Sequence, residues 1–140
     1  MSTLVSIADA IAESLNSGPW GLEAERHYRP AFDLENLDEL RVSVVPRSQL
    51  IQPASRSATD FEVQIDIGIQ QRIQAEGIGV PDAILSLVEA IADHLRFDRL
   101  EAMPEAVWVG STHEPVFVPE LYDQHRVFTS VLTVSYRVRR

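Results

Sequence analysis

The chain contains no cysteine, and this absence excludes several kinds of chemistry. Disulfides, thiol nucleophiles and cysteine ligands for zinc are all ruled out, and the lack of disulfides weakly favours a reducing compartment during folding. Stability must therefore come from a hydrophobic core. With 140 residues, 45% of them hydrophobic, the chain is long enough to bury roughly two-thirds of its unfolded surface. We predict one domain spanning residues 1–140.

Lysine is also missing, so all 12 positive charges are arginines, against 21 carboxylates and a net charge of −9. This balance argues against general nucleic-acid binding, which relies on a dense basic surface. The charge is uneven, because residues 121–140 carry four arginines and one aspartate. A basic end on an acidic body suits head-to-tail contact between copies, and arginine forms desolvated ion pairs better than lysine does. A solvated tail combined with a biased genome composition explains the same facts.

Targeting and membrane signals are missing as well. The first residues contain no basic segment followed by an apolar run, and no apolar stretch approaches the length of a membrane span. No internal repeat or low-complexity segment is present. We therefore expect a non-membrane protein that is made in the cytoplasm.

Two long segments alternate between apolar and polar residues, which is the pattern of a strand with one buried face. The apolar face of the first consists of Phe61, Val63, Ile65, Ile67 and Ile69. The second segment ends the chain, and its apolar face consists of Phe128, Leu132, Val134, Tyr136 and Val138. Shorter strand patterns occupy residues 24–29, 40–45, 107–109 and 116–118. We expect the 40–45 segment to pair with the strand from Phe61 as a long hairpin.

Two amphipathic helices are predicted from apolar residues spaced three and four apart. The first begins at Ser2 or Thr3, and its buried face consists of Leu4, Ile7, Ala8, Ile11, Ala12 and Leu15. The second begins at Pro81, after a break at two glycines, and its buried face consists of Ile84, Leu87, Val88, Ile91 and Leu95. The order α-β-β-β-α-β-β-β with short connections predicts an α+β two-layer domain, a mostly antiparallel sheet packed by two helices.

Residues 47–60 interrupt the predicted hairpin with a polar segment. It is rich in Ser, Gln and Arg, and its two aliphatic residues, Leu50 and Ile51, lie in its middle. The segment is long for a hairpin connection, and long loops of this kind are usually disordered or functional. We predict a long polar loop that is mobile in the monomer and ordered at an interface.

The sequence offers little that points to catalysis. The four histidines share no metal-ligand spacing, so we predict no metal, no cofactor and no catalytic residue. The segment Ile65-Asp66-Ile67-Gly68 resembles the strand that carries the first metal-binding aspartate in ribonuclease-H-like nucleases, which need two or three carboxylates around paired metals. We interpret Asp66 as an exposed strand carboxylate. The alternative is a small metal-dependent nuclease or another enzyme that uses Asp66.

Four segments together resemble the small neck and tail-completion proteins of tailed bacteriophages, in particular the tail terminators. They are Glu-Arg-His-Tyr-Arg-Pro at 25–30, Leu-Arg-Val-Ser-Val-Val-Pro-Arg at 40–47, Ile-Asp-Ile-Gly-Ile-Gln at 65–70, and the strand sequence at 126–137. The resemblance covers nearly the whole chain and rests on packing patterns. It implies an α+β fold related to the tail-tube subunit and a six-fold ring that ends tube growth and joins tail to head. Terminator, neck adaptor and minor tail subunit remain open.

The resemblance also implies partners and a location. They are further copies of the chain, the tail-tube protein and a neck or head-completion protein, with assembly in the host cytoplasm and a final place in the virion tail or neck. DNA would pass through the ring without sequence-specific recognition, and an acidic body would avoid holding it. We expect the ring or tube interface to use these residues of the polar loop and the last strand: Arg47, Gln49, Leu50, Ile51, Arg56, Arg137, Arg139 and Arg140.

Overall fold

The computed structural model describes residues 2–28, 39–73 and 79–140. In these ranges the elements are α1 (Thr3–Asn16), β1 (Ala24–Arg26), β2 (Arg41–Pro53), β3 (Thr59–Arg72), α2 (Gly79–Phe97), β4 (Val107–His113), α3 (Pro119–His125) and β5 (Val127–Arg139). The strands form one mixed sheet in the order β1-β2-β3-β5-β4. β1 runs parallel to β2, and the other neighbouring pairs are antiparallel. The predicted α+β class and the predicted hairpin, which is β2–β3, are confirmed.

The core lies between one face of this sheet and the two longer helices. The apolar residues of β3 that alternation predicted, from Val63 to Ile69, are fully buried. They are flanked by Val42 and Val44 of β2 and by Leu132 and Val134 of β5, which lie in register on the same face. The helices contribute Ile7, Ile11, Leu15, Ile84, Val88, Ile91 and Leu95, all of them buried. The face that carries these residues is called the helix side below, and the opposite face is called the outer face.

The outer face is polar, as the alternation predicted, but it is not uniformly exposed to solvent. Gln64 is exposed and Asp66 is half-buried, whereas Gln70 at the other end of β3 is buried. The Gln70 amide donates a hydrogen bond to the Thr129 hydroxyl at 3.1 Å. This bond satisfies part of the polar surface that burial removes from water.

The boundaries of the two predicted helices follow local chemistry. Ser2 caps α1, because its hydroxyl accepts a hydrogen bond from the Val5 amide at 3.4 Å. Gly18 follows the helix, and a Cβ there would approach the Trp20 ring to 2.5 Å, so glycine leaves room for the ring. α2 begins at Gly79, two residues before the predicted start. Gly77, the first glycine of the predicted break before α2, and the end of the predicted 24–29 strand lie outside the described residues.

One prediction near the C-terminus is wrong. Residues 116–118 form no strand, and they are followed by a third helix, α3, that the sequence pattern did not predict. The Phe117 ring stacks on Phe128 at a centroid distance of 5.2 Å and meets Tyr122 edge-on at 5.7 Å. The apolar run therefore packs through ring contacts onto β5 and α3 instead of pairing as a strand.

The predicted polar loop at 47–60 is also wrong, because most of it is strand. β2 continues to Pro53 and β3 begins at Thr59, so only residues 54–58 connect them. The β2–β3 pairing passes Pro46 through a register shift. The sheet tolerates the missing amide because, among the described residues, β1 pairs with β2 only at Val42–Val44 and no strand pairs with the outer side of β2 at Pro46. Residues 47–60, called the arm below, extend the hairpin beyond the helix-packed part of the sheet.

Candidate functional site

The structure brings the two predicted interface segments together at one end of the sheet. β5 runs alongside the β3 strand of the arm as far as the pair Arg139 and Asp60. One residue further, the Thr59 amide donates to the Arg140 carbonyl at 2.6 Å, and the Arg140 amide donates to the Thr59 carbonyl at 2.9 Å. The arm is therefore three strands wide up to its turn, and all eight candidate residues lie on the arm or on the strand end beside it.

The arm exposes one aliphatic side chain on each face. Leu50 lies opposite Glu62 on the outer face, and Ile51 lies opposite Phe61 on the helix side. They are 52% and 55% exposed. Full burial of such a side chain contributes about 1.5–3 kcal/mol. In a single chain, both side chains therefore expose apolar area that a partner could bury. Gln49 is exposed next to them, opposite Val63.

The arginines around the arm differ in what they already contact. Arg139 donates two hydrogen bonds to the Asp60 carboxylate, at 2.7 and 3.1 Å, and this contact holds the pKa of Asp60 below its ordinary value. The Arg140 guanidinium lies 4.4 Å from the centre of the Phe61 ring. Arg56, in the connecting turn, and Arg137, opposite Glu62, are exposed. Arg139 and Arg140 tie the chain end to the arm, while Arg56 and Arg137 face outward.

Arg47 and Asp66 form a small polar group on the outer face, away from the arm tip. The Thr133 hydroxyl donates to Asp66 Oδ1 at 2.6 Å, and Arg47 Nη1 lies 3.3 Å from the Thr133 hydroxyl and 3.5 Å from the same carboxylate oxygen. The contacts of Asp66 are thus those of a carboxylate that links three strands. Among the described residues, no group of three His, Cys, Asp or Glu side chains is placed to hold a metal ion.

A polar cluster that sequence reasoning missed joins the two long helices. His94 Nε2 lies 2.9 Å from the Ser14 hydroxyl, and His94 Nδ1 lies 3.0 Å from Asp98 Oδ2. The Trp20 ring meets the imidazole edge-on at 5.2 Å, and a cavity of about 410 Å³ adjoins the cluster. Asp98 follows the last residue of α2 and lies four residues after His94, a spacing that could have been noticed in the sequence. Ser14, in contrast, is 80 residues away in sequence.

The contacts from Ser14 to His94 to Asp98 resemble those of the serine, histidine and aspartate in a hydrolase catalytic triad. Whether Ser14 could act as a nucleophile depends on where it lies in the fold. Ser14 lies inside α1, three residues from its end, where its amide belongs to the helical hydrogen-bond ladder. Acyl transfer draws on free amides next to the nucleophile to stabilise the oxyanion. The geometry therefore favours a hydrogen-bonded link between α1 and α2.

A second exposed apolar surface lies at the opposite end of the sheet order, beside β4. Phe97, at the end of α2, is 73% exposed, and Val107, at the start of β4, is 53% exposed. Val109 is also exposed, at the point where the register of β4 shifts against β5. These three residues, called the β4 patch below, gave no sequence signal because neither an isolated phenylalanine at a helix end nor two valines in a short strand predicts exposure.

α2, with 19 residues, is the longest helix described. Within the described ranges, no helix combines the length and the apolar character needed to cross a membrane. Comparison of the chain with protein-family models and with curated proteins found no match.

Proposed function

We propose that this chain is a structural protein of a tailed-phage particle that forms a ring at the head-proximal end of the tail, ends tube growth and joins tail to head. The observation that carries the proposal is the arm. It extends past the helix-packed body, is already paired as a hairpin, and exposes Leu50 and Ile51 on opposite faces. The sequence resemblance supplies the virion context, and the α+β body agrees with the fold class that the resemblance implies.

An arm of this kind suits assembly energetically. Exposed strand edges with apolar side chains are an aggregation hazard unless something covers them. A contact in which each copy gives an arm and receives one is head-to-tail, and such contacts close into a ring when the rotation between neighbouring copies closes. The arm is paired before it binds, so less conformational entropy is lost on docking than a disordered loop would lose.

The charge distribution agrees with a ring that surrounds DNA. The net charge of −9 would repel a phosphate backbone from the lumen, so that DNA could pass without being held. The exposed arginines Arg56, in the turn of the arm, and Arg137, on β5 beside the arm, lie where a ring subunit would meet a neighbour. The acidic body and the basic arm end therefore separate the two tasks.

The test removes the arm and asks whether tails are completed. Residues 49–57 are replaced by a short Gly-Ser turn, and the protein is assayed in a reconstitution of phage tails and for ring formation by light scattering. We expect a folded protein by circular dichroism that forms no ring and completes no tails. Infectious tails made with the armless protein would overturn the assignment of the arm as the interface.

A matched pair of substitutions separates the apolar contact from the arm as a whole. The double change Leu50→Ser with Ile51→Ser removes the exposed aliphatic side chains, whereas Gln52→Ser with Ser57→Ala changes as many exposed residues of the arm without removing apolar area. We expect the first pair to weaken ring formation and the second to leave it near wild type. Equal effects of the two pairs would contradict the contact.

A second candidate function is favoured by one observation, the Ser14, His94 and Asp98 geometry beside a cavity. In this alternative, His94 would take the Ser14 proton during acyl transfer, as the base of a triad does. A fluorophosphonate probe distinguishes the two functions. Covalent labelling of Ser14, lost in His94→Gln, would favour the enzyme, and the ring proposal expects no labelling.

A further inference from the structure

We propose that the arm of one copy docks edge to edge on β4 of the next copy, so that the sheets of neighbouring subunits become continuous around the ring. This inference rests on the proposed ring and identifies its receiving surface. The occupant of the β4 edge is a second copy of this chain, because both halves of the contact are present on one molecule.

The first observation is the pair of uncovered edges. β1 pairs with β2 only at Val42–Val44, so no strand of the described residues lies beside the outer edge of β2 from Val45 to Pro53. β4 pairs with β5 on one side, and no described strand pairs with its other side. The two edges lie on opposite sides of the same sheet, as a head-to-tail contact between copies requires.

The second observation is that apolar residues match on both faces. On the outer face the arm carries Leu50 and β4 carries Val107, which lies in register with Arg137. On the helix side the arm carries Ile51, and the β4 patch carries Phe97, next to Trp108 on the wall of a shared cavity. Edge pairing keeps like faces together, so each exposed aliphatic residue of the arm would meet an apolar partner.

Charge and the limits of the arm edge agree with this pairing. Prolines at 46 and 53 bound the arm edge, and a register shift bends β4, so the pairing is short. The turn of the arm carries exposed Arg56, whereas the segment before β4 carries exposed Asp98, Glu101 and Glu105 beside one exposed arginine, Arg99.

The absence of native cysteine allows a direct test by disulfide trapping. In the double variant Leu50→Cys with Val107→Cys, both thiols lie on the outer face of their edges. Within one copy, β3 and β5 separate these strands, which puts them about 14 Å apart and beyond the reach of a disulfide. Any disulfide between the two positions therefore joins two copies. The matched control pairs Leu50→Cys with Ser86→Cys, an exposed position on α2.

On oxidation we expect the double variant to give a ladder of linked subunits on a non-reducing gel, several-fold above the control, that ends at the ring size measured by light scattering. A ring in wild type without this ladder would overturn the edge contact and leave the ring proposal standing. A wild-type protein that stays monomeric at every concentration, alone and with tail tubes, would overturn the ring itself.

A charge substitution at the receiving edge gives an independent measurement. Val107→Asp places a carboxylate opposite Leu50 of the neighbour, and we expect it to weaken ring association by about tenfold or more, the factor that corresponds to 1.4 kcal/mol. Ser86→Asp, which adds the same charge at an exposed position on α2, should leave association within a small factor of wild type. An unchanged association constant in Val107→Asp would contradict the proposal.

Discussion

The body and the arm are built from the same two strands, yet they use them differently. In the body, Val44 and Ile67 face each other across β2 and β3 and are fully buried under the helices. In the arm, the same ladder continues with Leu50 and Ile51, both more than half exposed. Strand pairing therefore extends beyond the burial that would normally stabilise it. Burial in the body stabilises the fold, whereas the arm exposes apolar area that remains available to a partner.

The largest expected effect comes from making the same substitution in both regions. Ile91→Ala removes a fully buried side chain from α2 and should lower the free energy of unfolding by about 2–5 kcal/mol. Ile51→Ala, in the arm, should change it by no more than about 0.5 kcal/mol, since the side chain is exposed. Urea unfolding of dilute monomer measures both. Similar losses for the two variants would mean that the arm belongs to the folding core.

A smaller effect is expected at the link between the helices. Ser14→Ala removes the hydroxyl partner of His94 and should lower the free energy of unfolding by about 1 kcal/mol. Ser17→Ala, which lines the same cavity just after α1, is the control and should be close to neutral. If the two serines proved equivalent in urea unfolding, the hydrogen bond would contribute nothing to holding the helices together.

The body could be predicted from the sequence because its buried strands and helices carry apolar residues at regular spacing. Alternation gave the buried face of β3, and the three-to-four spacing gave the buried face of α2. The arm could not be predicted this way, because a strand with both faces in water needs no apolar alternation. Its polar residues and Pro46 looked like a loop, although an edge strand accommodates both.

The candidate site was predictable only in part, for the same reason. The arm and the last strand were chosen from exposed charge and from Leu50 and Ile51, and the structure places these segments side by side. The β4 patch and the Ser14–His94 contact depend on which elements meet in three dimensions. Local sequence patterns do not indicate which residues meet when the residues are so far apart along the chain.

A pH effect should appear in the body. Burial lowers the pKa of His113 from its ordinary 6.5, with Glu89 opposing the shift, and the ring lies against the Ser130 hydroxyl at 2.5 Å. The folded state therefore prefers neutral His113, whose contribution is present above pH 6.5 and is lost as the pH falls through the lowered value. We expect the urea midpoint to fall on acidification, and to fall less in His113→Gln. Identical pH profiles would rule out His113 as a source of this dependence.

The smallest expected effect is near the turn of the arm, where Arg139 binds Asp60. Because this pairing lowers the pKa of Asp60 below its ordinary 3.8, its contribution is present above that pH and is lost as the pH falls through the lowered value. The pair is exposed and screened by salt, so Asp60→Asn should leave global unfolding unchanged.

The Asp60→Asn variant should instead show fraying of the arm, measured as faster tryptic cleavage after Arg56 than in wild type. The cleavage is followed by mass spectrometry at neutral pH. High salt should bring wild type toward the variant, and Gln52→Ala, across the ladder from Asp60, should resemble wild type. Equal cleavage of Asp60→Asn and wild type at low salt would show that backbone pairing alone holds the arm to β5.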